Sequence, residues 1–172
     1  MQRPAGRGNV LEVDLQTAAH RLIVPDADLF EPAGVALEAS GDVIVTEPDE
    51  SGLHSRIHRL MRSGSQHVLS DGPTGHIYGG VAVDANGDIL VCDTPVHDPG
   101  RVLRFDRMGQ DMQTIAVGGN LVFPFGLAVD RSDAILVANS GRNVIRIDPA
   151  SGTQTPVSTG GSFESPIGVA IR

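Results

Sequence analysis

The chain has 172 residues, of which 40% are hydrophobic, 20% charged and 3% aromatic, and its formal net charge is −8. These proportions indicate a folded domain, and a net negative charge with few aromatic residues argues against binding to nucleic acid. No run approaches the roughly 18 apolar residues that a membrane-spanning helix needs, and the first ten residues lack the apolar segment of a signal peptide. We therefore predict no membrane span and assign no localisation.

The chain opens with two short segments of strand character. Residues 9–14 read NVLEVD, and residues 19–24 read AHRLIV. The first matches the third strand of a unit that recurs later in the chain, and the second fits the fourth strand. We therefore predict half of a repeat unit over residues 1–24. A turn-rich connection, residues 25–32, leads into the first full unit.

A pair of strands joined by a tight turn then occurs three times. In residues 79–93, GGVAVDANGDILVCD, two apolar runs flank the turn residues Asp84 to Asp88. Residues 33–47 and 125–139 repeat the pattern. The glycines that open the three copies are spaced evenly by 46 residues, and a fourth glycine follows 42 residues after the last of them: Gly34, Gly80, Gly126 and Gly168.

Two further strands complete each unit. The third strand is RIHRLM at 56–61, RVLRFD at 101–106 and NVIRID at 143–148, and a weaker fourth strand follows each of them. A period of about 40 to 50 residues with this pattern is typical of a β-propeller, in which one repeat forms one blade of four antiparallel strands. We thus predict an all-β fold and one domain, with repeats over residues 1–24, 33–70, 79–117, 125–158 and 165–172.

The repeat count is about three and a half, whereas propellers close with roughly four to eight blades. An open arc leaves unpaired edges and an exposed inner face. Two explanations remain: the chain is a piece of a longer propeller, or two copies complete one ring. In either case we expect the isolated chain either to associate with itself through its open blade edges or to fold with frayed ends.

The units GVAVDANGDILVCD…RVLRFD and GLAVDRSDAILVANSGRNVIRID resemble NHL repeats, the blades of six-bladed propellers. The resemblance covers residues 9–172 and implies a partial six-bladed propeller. NHL propellers include protein-binding and RNA-binding modules and a few lyases. The related gluconolactonase-type propellers are metal-dependent lactone hydrolases whose ligands lie just before the glycine of each inner strand. The matching residues here offer no side-chain ligand: Ala33, Gly79, Phe125 and Ile167.

Three polar residues occupy one repeat position, the end of each second strand. They are Glu47, Asp93 and Asn139. One interpretation is a ring of polar groups that binds a cation or a polar ligand near the mouth of the channel. The other is a structural cap that accepts hydrogen bonds from the backbone of the following loop, and we favour this cap.

The remaining candidates lie in or beside loops on the same face. Tyr78 and Phe125 precede inner strands, and we expect both at the channel mouth, as ligand anchors or as plugs. His97 and Arg142 follow second strands, and His97 with Asp98 is an acid–base candidate. A further pair, His54 and His58, enters a strand, where this spacing separates side chains by roughly 13 Å and disfavours a metal site. We expect Cys92 to be a buried thiol.

From these observations we predict a non-catalytic binding or scaffold module that presents its loops to a protein or a small ligand, without a cofactor. The alternative is a metal-dependent lactonase or a lyase-type enzyme whose site is completed by blades outside this chain. That alternative requires Ca²⁺ or another divalent ion.

Overall fold

The computed structural model describes residues 8–25, 27–49, 51–141, 143–159 and 164–171. These residues form fourteen β-strands and no helix. The first two strands, β1 (Leu11–Val13) and β2 (His20–Leu22), pair in antiparallel fashion and form the predicted half blade. No helix in the described part of the chain is long and apolar enough to cross a membrane.

The other twelve strands form three antiparallel sheets of four strands, each in chain order. The prediction of all-β blades of four strands is thereby confirmed. Blade 1 contains β3 (Gly34–Leu37), β4 (Val43–Pro48), β5 (Ser55–Leu60) and β6 (Gln66–Asp71). Blade 2 contains β7 (Tyr78–Val83), β8 (Ile89–Asp93), β9 (Arg101–Phe105) and β10 (Gln113–Val117). Blade 3 contains β11 (Pro124–Val129), β12 (Ile135–Asn139), β13 (Asn143–Ile147) and β14 (Gln154–Thr159).

The hydrophobic core lies between successive blades. Because alternate side chains of a strand point to opposite faces, each sheet packs one face against the preceding blade and the other against the next. One cluster joins the half blade to blade 1, a second joins blades 1 and 2, and a third joins blades 2 and 3. Cys92 is buried in the third cluster, as expected.

The inner strands β3, β7 and β11 lie side by side around the axis of the arc. The repeated glycine permits this approach. A Cβ atom on Gly80 would lie 2.7 Å from the carbonyl oxygen of Phe125, and one on Gly34 would lie 2.6 Å from that of Gly79. Any larger residue would force the blades apart at the axis, which explains the glycine that marks each repeat.

The last described residues, 164–171, are in no sheet. Their backbone nevertheless lies where a further inner strand would begin, because a Cβ on Gly126 would meet the carbonyl oxygen of Ile167 at 2.6 Å. The start of another blade at residues 165–172 therefore stays a prediction.

An Arg–carboxylate pair recurs at the lower end of every blade, where the first strand turns into the second. We call these pairs the lower clamps. Arg59 binds Glu38 at 2.7 Å, Arg146 binds Asp130 at 2.7 Å, and Arg104 binds Asp84. The arginine of the third-strand signature thus has a structural role.

Candidate functional site

The upper face of the arc carries the loops between blades and the loops between second and third strands. At its centre lies an open cavity of about 550 Å³. We call it the axial pocket. Three repeat positions, each 46 residues apart, supply most of its wall: Glu31, Ile77 and Phe123; Ala33, Gly79 and Phe125; and Pro48, Thr94 and Ser140. Because equivalent positions of three blades contribute, the pocket lies on the propeller axis.

The two aromatic candidates lie in different surroundings. Phe125 is 43% exposed and lines the axial pocket, where the sequence placed it. Tyr78 also lines the pocket, but it is only 1% exposed, and its role as an anchor or a plug stays a prediction. Its ring packs edge-on against Phe105, with centroids 6.0 Å apart, inside the cluster between blades 1 and 2. The two residues differ because Tyr78 is equivalent in the repeat to Pro124, the residue before Phe125. Burial raises the pKa of the Tyr78 hydroxyl.

The amide of Asn139 caps the loop that enters blade 3. Its oxygen accepts hydrogen bonds from the backbone N–H groups of Val122 at 3.0 Å and Phe123 at 2.9 Å. Its nitrogen donates to the carbonyl oxygen of Asn120 at 2.9 Å and to Oδ1 of Asn143 at 2.7 Å. All four bonds form inside the protein, and the loop they fix carries Phe123 to the edge of the axial pocket.

Asp93 occupies the equivalent position in blade 2 and is fully buried. Its Oδ2 accepts a hydrogen bond from Nδ1 of His76 at 2.7 Å and lies 3.2 Å from Nε of Arg101. Burial raises the pKa of Asp93 above its ordinary value, against the opposing effects of His76 and Arg101. His76 belongs to the loop that enters blade 2, so this carboxylate also holds an inter-blade loop.

Glu47 completes the set in blade 1. Its Oε2 accepts a hydrogen bond from the N–H of Phe30 at 2.7 Å, and its Oε1 lies 2.7 Å from Nε2 of His58. His58 Nδ1 lies 2.8 Å from the side-chain amide of Gln66, which in turn binds the backbone of Asp28. Because the amide nitrogen of Gln66 is a donor, His58 accepts at Nδ1, and its Nε2 faces the carboxylate of Glu47.

All three second-strand residues therefore hold the loop that precedes their own blade. The sequence predicted a cap over the following loop, and in the structure the capped loop is the preceding one. Two of the partners, Gln66 and His76, were not among the sequence candidates, and His58 was considered only as a metal ligand. Only the shared spacing of Glu47, Asp93 and Asn139 signalled this arrangement. Binding of a ligand by these three residues stays a prediction.

The remaining candidates lie apart from the axial pocket. His97 is exposed, and the neighbouring Asp98 lies 3.4 Å from Arg101, so its carboxylate turns to that cation. His54 contacts Gly72 and Thr74, while His58 contacts Glu47 and Gln66, so the two imidazoles have separate partners. Arg142 lies outside the described residues.

A divalent metal at the axis does not fit the residues present. Carbonyl and carboxylate oxygens are the ligands that Ca²⁺ prefers, and several must converge. Glu31 offers the one carboxylate among the residues that line the pocket, and the side chains of Ala33, Gly79 and Phe125 provide no ligand. Within the described ranges, no group of three or more His, Cys, Asp or Glu residues is arranged to hold a metal ion.

The sequence matches no protein-family model and no curated protein. Solved structures do match. The structure of a nidogen–laminin complex covers 93% of this chain and 59% of its own, with a TM-score of 0.76 and 22% identity. Virginiamycin B lyase from Staphylococcus aureus covers 93% and 52%, with a TM-score of 0.69 and 17% identity. A gluconolactonase from Xanthomonas campestris covers 88% and 55%, with a TM-score of 0.67 and 20% identity.

The chain spans about half to three-fifths of the length of these structures. Their chemistry differs, since one belongs to a protein complex and two are enzymes, and no identity exceeds 22%. A shared propeller serves unrelated functions, so the likeness establishes the architecture and not an activity. The chain has the fold of the NHL and gluconolactonase-type β-propellers, as an arc of about three and a half blades.

Proposed function

We propose that this chain is a non-catalytic propeller segment that binds a partner through its upper-face loops, with the axial pocket as the centre of the contact. The observation that carries the proposal is the apolar wall of that pocket. Ile77, Phe123 and Phe125 contribute large apolar side chains that remain between 37% and 58% exposed. Exposed apolar groups in a preformed concave site favour binding of an apolar group.

The loops that form the pocket are fixed before any partner arrives. The amide of Asn139 holds the loop of Phe123, and Thr94 donates from its hydroxyl to the carbonyl oxygen of Pro124 at 3.0 Å. Binding to such a surface loses little conformational entropy. This pre-organisation supports a recognition role for the upper face.

Titration with Nile red, a neutral fluorescent probe of apolar sites, tests the proposal. We expect saturable binding to the wild-type chain and at least fivefold weaker binding to Phe125→Ser. Leu15→Ser is the matched control, because Leu15 is exposed in the turn between β1 and β2, away from the pocket. Equal affinity of all three proteins for the probe would contradict a binding role of the axial pocket.

A second candidate is a metal-dependent lactonase or a lyase-type enzyme. The lactonase and lyase structures of like fold support it. The hydrogen bond of His76 to buried Asp93 also supports it, because a carboxylate at Nδ1 orients an imidazole for proton transfer. The side chains of Ala33, Gly79 and Phe125 offer no metal ligand, which weighs against this candidate.

Metal analysis and a lactone hydrolysis assay separate the two candidates. The binding proposal predicts no stoichiometric Ca²⁺, Mn²⁺ or Zn²⁺ in the purified chain and no turnover of gluconolactone. His76→Gln is the test variant for any turnover observed. Turnover that requires a divalent ion and disappears in His76→Gln would replace the binding proposal with the enzyme.

A further inference from the structure

One repeat position of the axial pocket differs in chemistry between blades. Residues 31, 77 and 123 are 46 apart and all line the pocket, but they are Glu31, Ile77 and Phe123. Blades 2 and 3 thus contribute apolar groups where the connection into blade 1 contributes a carboxylate. The pocket therefore has one acidic side and two apolar sides.

The carboxylate of Glu31 is available to a partner. Glu31 is the one charged residue among the described residues that line the pocket. Its side chain is exposed and forms no hydrogen bond or ion pair with any described residue. Three other carboxylates on this face are engaged: Asp71 with Arg56, Asp98 with Arg101, and Asp49 with Ser51. An unpaired carboxylate beside apolar walls favours a cation.

The apolar surface also extends beyond the pocket. Leu53 and Val96, in loops between second and third strands, are each 49% exposed, and Val122, beside the pocket, is 53% exposed. These three residues are not part of the pocket lining, so a ligand confined to the pocket leaves them exposed, whereas a polypeptide laid across the face covers them. The breadth of this surface favours a protein partner.

We propose that the axial pocket binds a segment of a protein partner in which an apolar side chain stands next to lysine or arginine. The apolar side chain packs against Ile77, Phe123 and Phe125, and the cation pairs with Glu31. The net charge of −8 attracts such a segment over longer distances. This inference rests on the proposed binding function and specifies the chemistry of the partner.

The test begins with a display library of random nine-residue peptides selected on the immobilised full chain. We expect the retained peptides to combine aromatic or aliphatic residues with lysine or arginine. One retained peptide is then synthesised with its basic residue and with norleucine in its place. Both are titrated calorimetrically against the wild-type chain, Glu31→Gln and Asp111→Asn. Asp111 is an exposed acid at the opposite, lower end of blade 2 and serves as the charge-matched control.

Replacing the basic residue should weaken binding about two- to fivefold for the wild-type chain and for Asp111→Asn, and should have no effect for Glu31→Gln. Higher salt should reduce the difference. An equal loss for wild type and Glu31→Gln, or retained peptides without basic residues, would disprove the role of Glu31 while leaving the binding function intact. Failure of the wild-type chain to retain peptides better than Phe125→Ser would instead disprove the proposed function itself.

Discussion

The upper end of blade 2 and the lower end of blade 3 both pair a carboxylate with an arginine, in different surroundings. At the upper end, Asp93 is fully buried and binds His76 and Arg101. At the lower end, Asp130 binds Arg146, whose side chain is 44% exposed. Asp93 fixes the loop between blades 1 and 2, whereas Asp130 and Arg146 close a turn within blade 3.

This difference in burial decides how much each end contributes to stability. An exposed ion pair gains little, because water screens the charges and two long side chains lose freedom. A buried carboxylate has lost its hydrating water, so its hydrogen-bond partners in the protein must replace that water. Removing one member of the group leaves buried hydrogen-bond donors or acceptors unsatisfied. We therefore expect buried Asp93 to contribute more to stability than the exposed ion pair at the lower end of blade 3.

Asp93→Ala should have the largest effect. The substitution leaves Arg101 and His76 without their buried acceptor, and removal of one partner from such a group costs about 3 kcal/mol of unfolding free energy. Urea unfolding followed by circular dichroism measures the change. Asp93→Asn is the matched control, because it retains a hydrogen-bond acceptor of the same shape and should lose less. Equal stability of wild type and Asp93→Ala would overturn the contrast between the two ends.

Asn139→Ala should have the next largest effect. It removes four hydrogen bonds, and the N–H groups of Val122 and Phe123 lose their acceptor. The expected loss is about 2 kcal/mol, measured by the same unfolding experiment.

Asn139→Asp sharpens this prediction. In blades 1 and 2 the third-strand residue that pairs with the capping residue is an arginine, but in blade 3 it is Asn143. Asn143 and the carbonyl oxygen of Asn120 both accept hydrogen bonds, so the cap of blade 3 needs a donor that a carboxylate lacks. Asn139→Asp should therefore also be destabilised, and wild-type stability in this variant would disprove the account.

The sequence predicted the blades well because the pattern is local and repeated. Alternating apolar residues, turns such as Asp84 to Asp88 and glycines every 46 residues define strands without any long-range information. The repeat position of Glu47, Asp93 and Asn139 was visible for the same reason. Comparison between copies distinguished a position that is always polar from its apolar neighbours.

The partners of these residues were not predictable, because they depend on how loops fold across blades. His76 reaches Asp93 over 17 positions, and nothing in its neighbourhood marks it. The burial of the Tyr78 ring was not predictable for a similar reason. Two aromatic residues at the start of inner strands appeared equivalent, and a shift of one position along a strand reverses the face.

The pKa values of Asp93 and Asp130 should also be shifted in opposite directions. Burial raises the pKa of Asp93 above 3.8. The native chain then binds a proton more readily than the unfolded chain, so this group reduces stability as pH rises from 3.8 through its native pKa. For Asp130, the hydrogen bond from Ser132, with smaller contributions from backbone N–H groups and Arg146, lowers the pKa to about 2. Its contribution is lost as pH falls from 3.8 towards 2.

Carboxyl ¹³C chemical shifts followed by NMR over this pH range measure both values directly. Asp93→Asn and Asp130→Asn assign the two resonances. A lower pKa for Asp93 than for Asp130 would show that its partners outweigh its burial, and would remove the electrostatic distinction between the ends.

Arg146→Ala should have the smallest effect. Arg146 pairs with Asp130 and with the hydroxyl of Ser132, but the backbone N–H groups of Ser132 and Ala134 still bind Asp130 Oδ1 when the arginine is absent. The turn therefore keeps its shape, and only an exposed ion pair is lost. The urea midpoint should shift by much less than in Asn139→Ala, and high salt should abolish the difference from wild type. A shift as large as that of Asn139→Ala would contradict this expectation. It would mean that the lower clamp of blade 3 stabilises the fold as strongly as the buried cap of Asn139.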